Sequence, residues 1–174
     1  MRTETITTNI YEFNELSDKA KEKARDWWKE CTTIEDWSEQ TYEDAAMVGI
    51  KIIGFDIGRG DDCMFDDSFD ADEVYAAIIK NHGEKCDTYK SVYAYNAAKE
   101  ATLKQAPRDE AGDFIDEDIL DDKLNVLVKE LKHNLQKDYL KMLRSDHDYY
   151  FSDENVSENI ITNEYEFLEN GSKH

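Results

Sequence analysis

The sequence has few of the residues that interrupt regular structure. One proline and seven glycines in 174 residues argue against a linker-rich or turn-dominated chain. No apolar run approaches the ~18 residues of a membrane-spanning helix. The polar start Met1–Glu4 has no signal-peptide pattern. We therefore expect a soluble protein in the cytoplasm of a host cell, without membrane contact.

Cysteine is also scarce, and its three positions do not form a disulfide framework. Cys63, His82 and Cys86, with Cys31 as a fourth candidate, offer zinc-ligand chemistry. Only the step from His82 to Cys86 has a local ligand-like spacing, and no Cys-x-x-Cys pair exists. Buried thiols and a histidine at a helix end are the ordinary alternative, and we expect no bound metal here.

The acidic segment 66–73 begins like a calcium-binding loop, with oxygen ligands at alternate positions. Ala71 stands where such a loop needs its turn glycine, and Ala77 stands where it needs a bidentate glutamate. A helix-capping acidic loop is the simpler interpretation. The sequence predicts neither a metal nor another cofactor.

Basic residues are the clearest deficit. There are 21 Lys and Arg against 41 Asp and Glu, which gives a formal net charge of −20. Such a field repels nucleic acids and anionic membranes and attracts basic surfaces. Direct nucleic-acid binding, which uses clustered Lys and Arg, is therefore not expected.

Recognisable catalytic motifs are absent from the sequence. It has no Gly-x-Gly-x-x-Gly, no phosphate-binding loop and no nucleophile elbow. Carboxylate pairs are so abundant that choosing two as acid and base carries no information. We expect a protein that is not an enzyme.

Periodicity predicts helices and strands in alternation. A strand over 3–13 precedes a helix that Ser17 caps. The next helix starts at Thr32 or Thr33, where Thr32 and Glu35 form a capping-box pattern. This second helix ends at Gly49. The next predicted element is a hairpin of strands 50–57 and 62–65. Two helices follow, one from Asp70 to Gly83 and one over 87–105, and an acidic surface loop around 106–118 separates them from a long helix carrying Leu120 to Met142. Strands 148–151 and 163–168 are predicted on either side of a helical turn at 153–161.

These elements predict an α+β fold in which several helices pack on a small, mainly antiparallel sheet. At 174 residues we expect a single domain over 1–174. The segments 11–13 and 165–167 both read Tyr-Glu-Phe, which we attribute to chance.

The acidic residues are concentrated in particular segments. Segments 32–48, 61–73, 109–122 and 146–169 together hold 28 of the 41 acidic residues and neither Lys nor Arg. Within the second helix, Glu35, Glu39 and Glu43 recur every four residues, about 6 Å apart along one face. That separation is of the order of phosphate spacing along a nucleic-acid strand, whose charge repeats every ~3.4 Å of helix axis.

Such a surface can occupy the Lys/Arg groove of a protein that handles DNA or RNA. The alternative is a solvated face that keeps the protein in solution. The candidate partner-binding residues are Glu35, Asp36, Glu39, Glu43, Asp44, Asp61, Asp62, Asp66, Asp67, Asp70, Asp116, Glu117, Asp118, Asp121 and Asp122.

Three tryptophans, Trp27, Trp28 and Trp37, are expected mainly in the core. Trp27 and Trp28 are adjacent, so both cannot lie at the centre of one helical stripe. One of them is therefore a candidate for a partly exposed anchor that contacts a partner.

Several stretches resemble a group of largely uncharacterised phage and prophage proteins, some of which carry an antitoxin-like label. The stretches are residues 11–28, Gly54-Phe55-Asp56 with Arg59-Gly60 and Cys63, Asn81-His82-Gly83-Glu84 with Cys86, and Asn163-Glu164-Tyr165-Glu166-Phe167. The resemblance implies a mobile-element origin and transfers no catalytic residue.

Together these observations predict a phage or mobile-element accessory protein. It would inhibit a host nucleic-acid-handling defence complex, of the anti-CRISPR or anti-restriction type, by presenting a DNA-mimicking acidic surface to a basic groove. The alternative is an antitoxin-type or regulatory protein that neutralises a single basic protein.

Overall fold

A computed structural model of the protein describes residues 2, 7–60 and 62–174. The chain divides into two units, Met1–Ser38 with Ser145–His174, and Glu39–Arg144. The expectation of a single domain stays a prediction. Asp61, one of the candidate partner-binding residues, lies outside the described residues.

The fold class is α+β, as predicted, and its strands pair in an antiparallel sense. They form two separate two-stranded ladders among the described residues, where the sequence had predicted one small sheet. The elements are β1 Tyr11–Glu12, α1 Asp18–Cys31, α2 Glu35–Met47, β2 Ile52–Asp56, β3 Asp62–Phe65, α3 Ala71–Asn81, α4 Asp87–Gln105, α5 Glu117–Tyr150, α6 Asp153–Thr162 and β4 Glu166–Phe167.

The first unit joins the two ends of the sequence through a short ladder. β1 pairs with β4, with Tyr11 opposite Phe167 and Glu12 opposite Glu166. The two Tyr-Glu-Phe segments are thus neighbours in space. Ser17 caps α1 as predicted, because its hydroxyl accepts a hydrogen bond from the backbone N–H of Ala20.

The core of the first unit lies between α1, α6 and β4. Its buried residues are Phe13, Leu16, Ala20, Ala24, Val156, Ile160 and Phe167. Gly171 lies against α1 with a φ of +81°, and a Cβ at this position would lie 2.1 Å from the carbonyl oxygen of Ala20. Only glycine allows this close approach of two backbones.

The second unit starts with the end of α2, which the sequence places correctly at Gly49. Gly49 has a φ of +80°. The backbone N–H of Ile50 donates to the carbonyl of Ala45, and that of Gly49 donates to the carbonyl of Ala46. This is the Schellman arrangement, which turns the chain directly into the hairpin of β2 and β3.

Helices α3, α4 and α5 supply most of the buried residues of the second unit. Val74, Ile78, Val92 and Tyr95 come from α3 and α4, and Leu131, Leu135, Tyr139, Leu140 and Leu143 come from α5. The helical spacing predicted for α5 is confirmed, and Asp70 caps α3 by accepting from the N–H groups of Asp72 and Glu73.

Three local predictions are wrong. Residues 3–6 of the predicted strand 3–13 lie outside the described residues, and of residues 7–13 only Tyr11 and Glu12 form a strand. Segment 148–151 does not form a strand either, because α5 continues to Tyr150 and the N–H of Phe151 still bonds the carbonyl of His147. Thr32 and Glu35 do not form the capping box: the N–H of Thr33 donates to the carboxylate of Asp36 instead.

Candidate functional site

Helix α2 presents a row of carboxylates because its other face is buried. Thr41, Ala45 and Val48 are at most 1% exposed. Glu39 and Glu43 lie between them on the exposed face, where Glu35 begins the row. Side chains four apart on a helix are neighbours, so the three carboxylates lie on one face as predicted from their spacing.

Two other acids of α2 have structural roles. Asp36 accepts hydrogen bonds from the N–H and hydroxyl of Thr33, which fixes the start of the helix. Asp44 faces inward, where its Oδ2 accepts a 2.9 Å hydrogen bond from the hydroxyl of Tyr139. Helix propensity and residue spacing do not distinguish the structural roles of Asp36 and Asp44 from those of the exposed acids beside them.

Asp44 also lies beside a buried histidine. The Nε2 of His82 is 3.4 Å from Asp44 Oδ1, within ion-pair distance but without hydrogen-bond geometry. The other ring nitrogen, Nδ1, lies 2.7 Å from the hydroxyl of Thr88. This cluster ties α2, α3 and α4 together inside the second unit.

The hairpin and the loop after it contain both kinds of acid. Asp66 and Asp70 are structural: Asp66 accepts from Ser68 and lies 3.6 Å from the Lys51 ammonium, and Asp70 caps α3. The hydrogen bonds from Ser68 lower the pKa of Asp66. Asp62 and Asp67 are exposed.

Asp56, which sequence reasoning did not single out, closes the hairpin turn. Its carboxylate accepts from the N–H groups of Gly58 at 2.8 Å and Gly60 at 2.9 Å. These two bonds lower the pKa of Asp56. The signal was present in the sequence as an Asp two residues before Gly58 and four before Gly60, a pattern typical of side-chain-to-backbone turns.

The start of α5 carries the densest group of exposed carboxylates. Asp116 precedes the helix, Glu117 and Asp118 lie in its first turn, and Asp121 and Asp122 follow. Anionic side chains are favourable at this end of a helix because they interact with the positive end of its dipole. These carboxylates therefore stabilise the start of the helix, and among the described residues none of them forms an ion pair.

The preceding loop is ordered by its own arginine. The Arg108 guanidinium donates to the carbonyl of Gly112 at 2.7 Å and lies 3.8 Å from the centre of the Phe114 ring. The N–H of Ile115 donates to the carbonyl of Pro107. Arg108 is thus engaged inside the loop.

The structure divides the fourteen described candidate residues into two groups. Four of them form hydrogen bonds within the chain that stabilise the fold; they are Asp36, Asp44, Asp66 and Asp70. The other ten are exposed, and within the described part of the chain their side chains make neither a hydrogen bond nor an ion pair; they are Glu35, Glu39, Glu43, Asp62, Asp67, Asp116, Glu117, Asp118, Asp121 and Asp122.

Three lysines of the second unit pair with acids outside this set of ten. Lys99 binds Asp72, and both Lys90 and Lys141 bind Asp87. These pairs link α3 to α4 and α4 to α5. These three lysines are therefore engaged elsewhere and form no ion pair with the ten exposed carboxylates.

The candidate metal ligands are placed in unlike surroundings. Cys63 is buried, and that burial, with the charge of Asp62, raises the pKa of its thiol to about 12. A thiol that stays protonated is a poor metal ligand and a poor nucleophile. His82 is buried beside Thr88, whereas Cys31 and Cys86 are exposed. In the calcium-like segment, Asp66 and Asp70 accept hydrogen bonds from the backbone.

The adjacent tryptophans contribute to packing. Trp27 meets Tyr165 and Phe167 edge to face, with ring centres 5.2 and 5.8 Å apart. Trp28 packs on Tyr150 at 5.3 Å. Both are half-buried and belong to aromatic clusters, and the role of one of them as an anchor for a partner stays a prediction.

Comparison with family models, with curated proteins and with solved structures finds no match for this chain. Over the described ranges, no helix combines the length and apolarity that crossing a bilayer requires.

Proposed function

We propose that this protein inhibits a nucleic-acid-handling complex by binding its basic groove. The ten exposed carboxylates that form neither a hydrogen bond nor an ion pair with the described residues carry the proposal. They lie on α2, on β3 and the loop after it, and at the start of α5, and they would take positions that phosphates occupy in the groove. Nucleic acid and the protein would then compete for the same Lys and Arg side chains.

The rigidity of α2 supports a recognition role for its carboxylates. Burial of Thr41, Ala45 and Val48 fixes the helix, so Glu39 and Glu43 are held in place before a partner arrives. A preorganised surface loses less conformational entropy on binding than a mobile one. The resemblance to phage and prophage proteins is consistent with a host defence complex, of the CRISPR or restriction type, as the target.

The test is inhibition of DNA cleavage by purified CRISPR and restriction complexes, at low and at high salt. For a complex that the protein inhibits, the triple variant Glu35→Gln, Glu39→Gln and Glu43→Gln should raise the half-inhibitory concentration by about tenfold or more, since charge complementarity sets much of such binding. High salt should weaken wild-type inhibition.

A matched control separates position from total charge. The variant Glu22→Gln, Glu30→Gln and Glu130→Gln removes the same number of charges from exposed positions on the mixed-charge helices α1 and α5. It should inhibit nearly as well as the wild type. Equal loss in both triple variants, or no loss in the first, would contradict a specific acidic surface.

One observation favours the alternative, a protein that neutralises a single basic partner. Ile115 and Ile119, beside the acidic start of α5, are 58% and 54% exposed. Apolar side chains of this kind suit a protein interface better than a mimic of DNA. Purification with one small basic protein, in place of a nuclease complex, would support this alternative.

A further inference from the structure

A groove of about 510 Å³ lies in the second unit, between the end of α4 and the start of α5. Pro107, Phe114, Ile119 and Leu120 form its apolar part, while Asp116 and Lys123 contribute charge at its border. Sequence periodicity does not indicate this groove, because the apolar stripe on α5 begins only at Leu120.

The apolar walls of the groove are held by contacts within the chain. Leu120 is only 7% exposed, and Phe114 is half-buried under the Arg108 guanidinium. The hydrogen bond from Ile115 N–H to the carbonyl of Pro107 joins the two sides of the loop. The groove therefore exists before any ligand arrives.

Charge identifies the class of occupant. Asp116 borders the groove, and Glu117, Asp118, Asp121 and Asp122 follow it on the same helix start, where none of the five forms an ion pair with a described residue. Lys123 is the basic residue of the lining. A segment that carries Lys or Arg around one apolar side chain complements this combination, whereas an acidic or nucleic-acid ligand is repelled.

We propose that this groove receives an apolar side chain from a basic, amphipathic segment of a partner protein. The inference rests on the proposed function, because the acidic surface brings the partner to this place. It adds that an aliphatic or aromatic anchor, and not charge alone, determines affinity and the choice of partner. Anchors of this kind dominate the affinity of many protein interfaces.

Two synthetic peptides separate the anchor from the charge. The first is a Lys/Leu peptide of about 14 residues with leucines at helical spacing. The second has the same lysines and serine in place of each leucine. Binding of both to the full-length protein is measured by fluorescence anisotropy. The Leu peptide should bind about tenfold or more tightly than the Ser peptide, and equal affinities would overturn the inference.

A pair of matched variants locates the site. Ile119→Ala should lower the affinity of the protein for the Leu peptide by about tenfold and leave its affinity for the Ser peptide unchanged. Ile53→Ala is the control, because Ile53 is 59% exposed on β2 and does not line the groove. Ile53→Ala should change the affinity for neither peptide. If both variants are folded by circular dichroism and Ile119→Ala leaves the affinity for the Leu peptide unchanged, the groove is not the binding site.

The outcomes also separate this inference from the proposed function. Equal salt-sensitive binding of both peptides would overturn the anchor groove and leave the acidic surface supported. Tight Leu-peptide binding without any inhibition of DNA cleavage would support the groove while contradicting the inhibitor role.

Discussion

The hydroxyl of the fully buried Tyr139 donates a 2.9 Å hydrogen bond to the carboxylate of Asp44. Burial, with the negative charge of Asp44, raises the pKa of Tyr139, so the phenol remains a donor. The bond joins α5 to α2 inside the second unit. Asp44 therefore differs from Glu39 and Glu43 on the same helix, whose carboxylates are exposed.

Replacing Tyr139 with Phe should destabilise the protein by about 1–2 kcal/mol. The ring and its packing on Phe65 remain, but the carboxylate of Asp44 loses its donor. Urea unfolding measures the change. Tyr149→Phe is the control, since Tyr149 is 70% exposed and should change stability by less than about 0.5 kcal/mol. Equal stabilities of wild type and Tyr139→Phe would show that water replaces the bond at no cost.

Asp87 should make part of the stability dependent on pH. Hydrogen bonds from Lys141 and Lys90 lower its pKa from 3.8 to about 2. A carboxyl group whose pKa is lower in the folded state contributes stability above its unfolded pKa and loses that contribution as pH falls. The window is therefore about pH 4 down to about pH 2.

The variant Asp87→Asn should show a smaller drop of the urea midpoint across this window than the wild type. The two midpoints should differ most above pH 4 and converge near pH 2. Asp118→Asn, which removes one charge from an exposed side chain that forms no ion pair with the described residues, serves as the control for net charge. A wild-type advantage over Asp87→Asn that stayed constant from pH 7 to pH 2 would contradict the assignment.

Gly171 should be intolerant of any side chain. Its positive φ and the carbonyl of Ala20, 2.1 Å from the site of a Cβ, both oppose Gly171→Ala. Strain and overlap together should lower the free energy of unfolding by at least about 2 kcal/mol. Gly83→Ala is the matched control, because a Cβ there meets nothing within 4 Å and the backbone needs no left-handed conformation. Thermal unfolding that ranked the two variants equally would contradict this explanation.

The sequence predicted an element correctly where its capping residues and its pattern of apolar residues agreed with the burial seen in the structure. Ser17 and Asp70 are caps in sequence and in structure, and α4 has its predicted bounds. The prediction failed at 148–151, where aromatic residues favour a strand locally. There His147 packs between Trp37 and Phe151, and this contact keeps the segment helical. Packing outweighs intrinsic strand preference in such segments.

The candidate site was predictable as a set of segments but not residue by residue. Spacing alone identified the row from Glu35 to Glu43. It could not show that Asp44 faces Tyr139, since that contact joins positions 95 residues apart in the sequence. The groove at Ile119 was missed for a similar reason: an exposed isoleucine in an acidic helix start has no periodic pattern, and only the fold places Pro107 and Phe114 beside it.

The order of the loop before α5 should depend on Arg108. Its guanidinium contacts Phe114 and the carbonyl of Gly112, so Arg108→Ala removes both contacts from an exposed loop. At exposed sites such contacts contribute about 1 kcal/mol, which corresponds to roughly fivefold faster hydrogen exchange through local opening. The amides of Gly112 and Ile115, which bond Asp109 and Pro107, are the reporters. Amides in the middle of α5 should keep their protection, because the loop opens without unfolding the helix. Unchanged exchange at both reporters would mean that backbone hydrogen bonds alone hold the loop, and the wall of the groove would then not require Arg108.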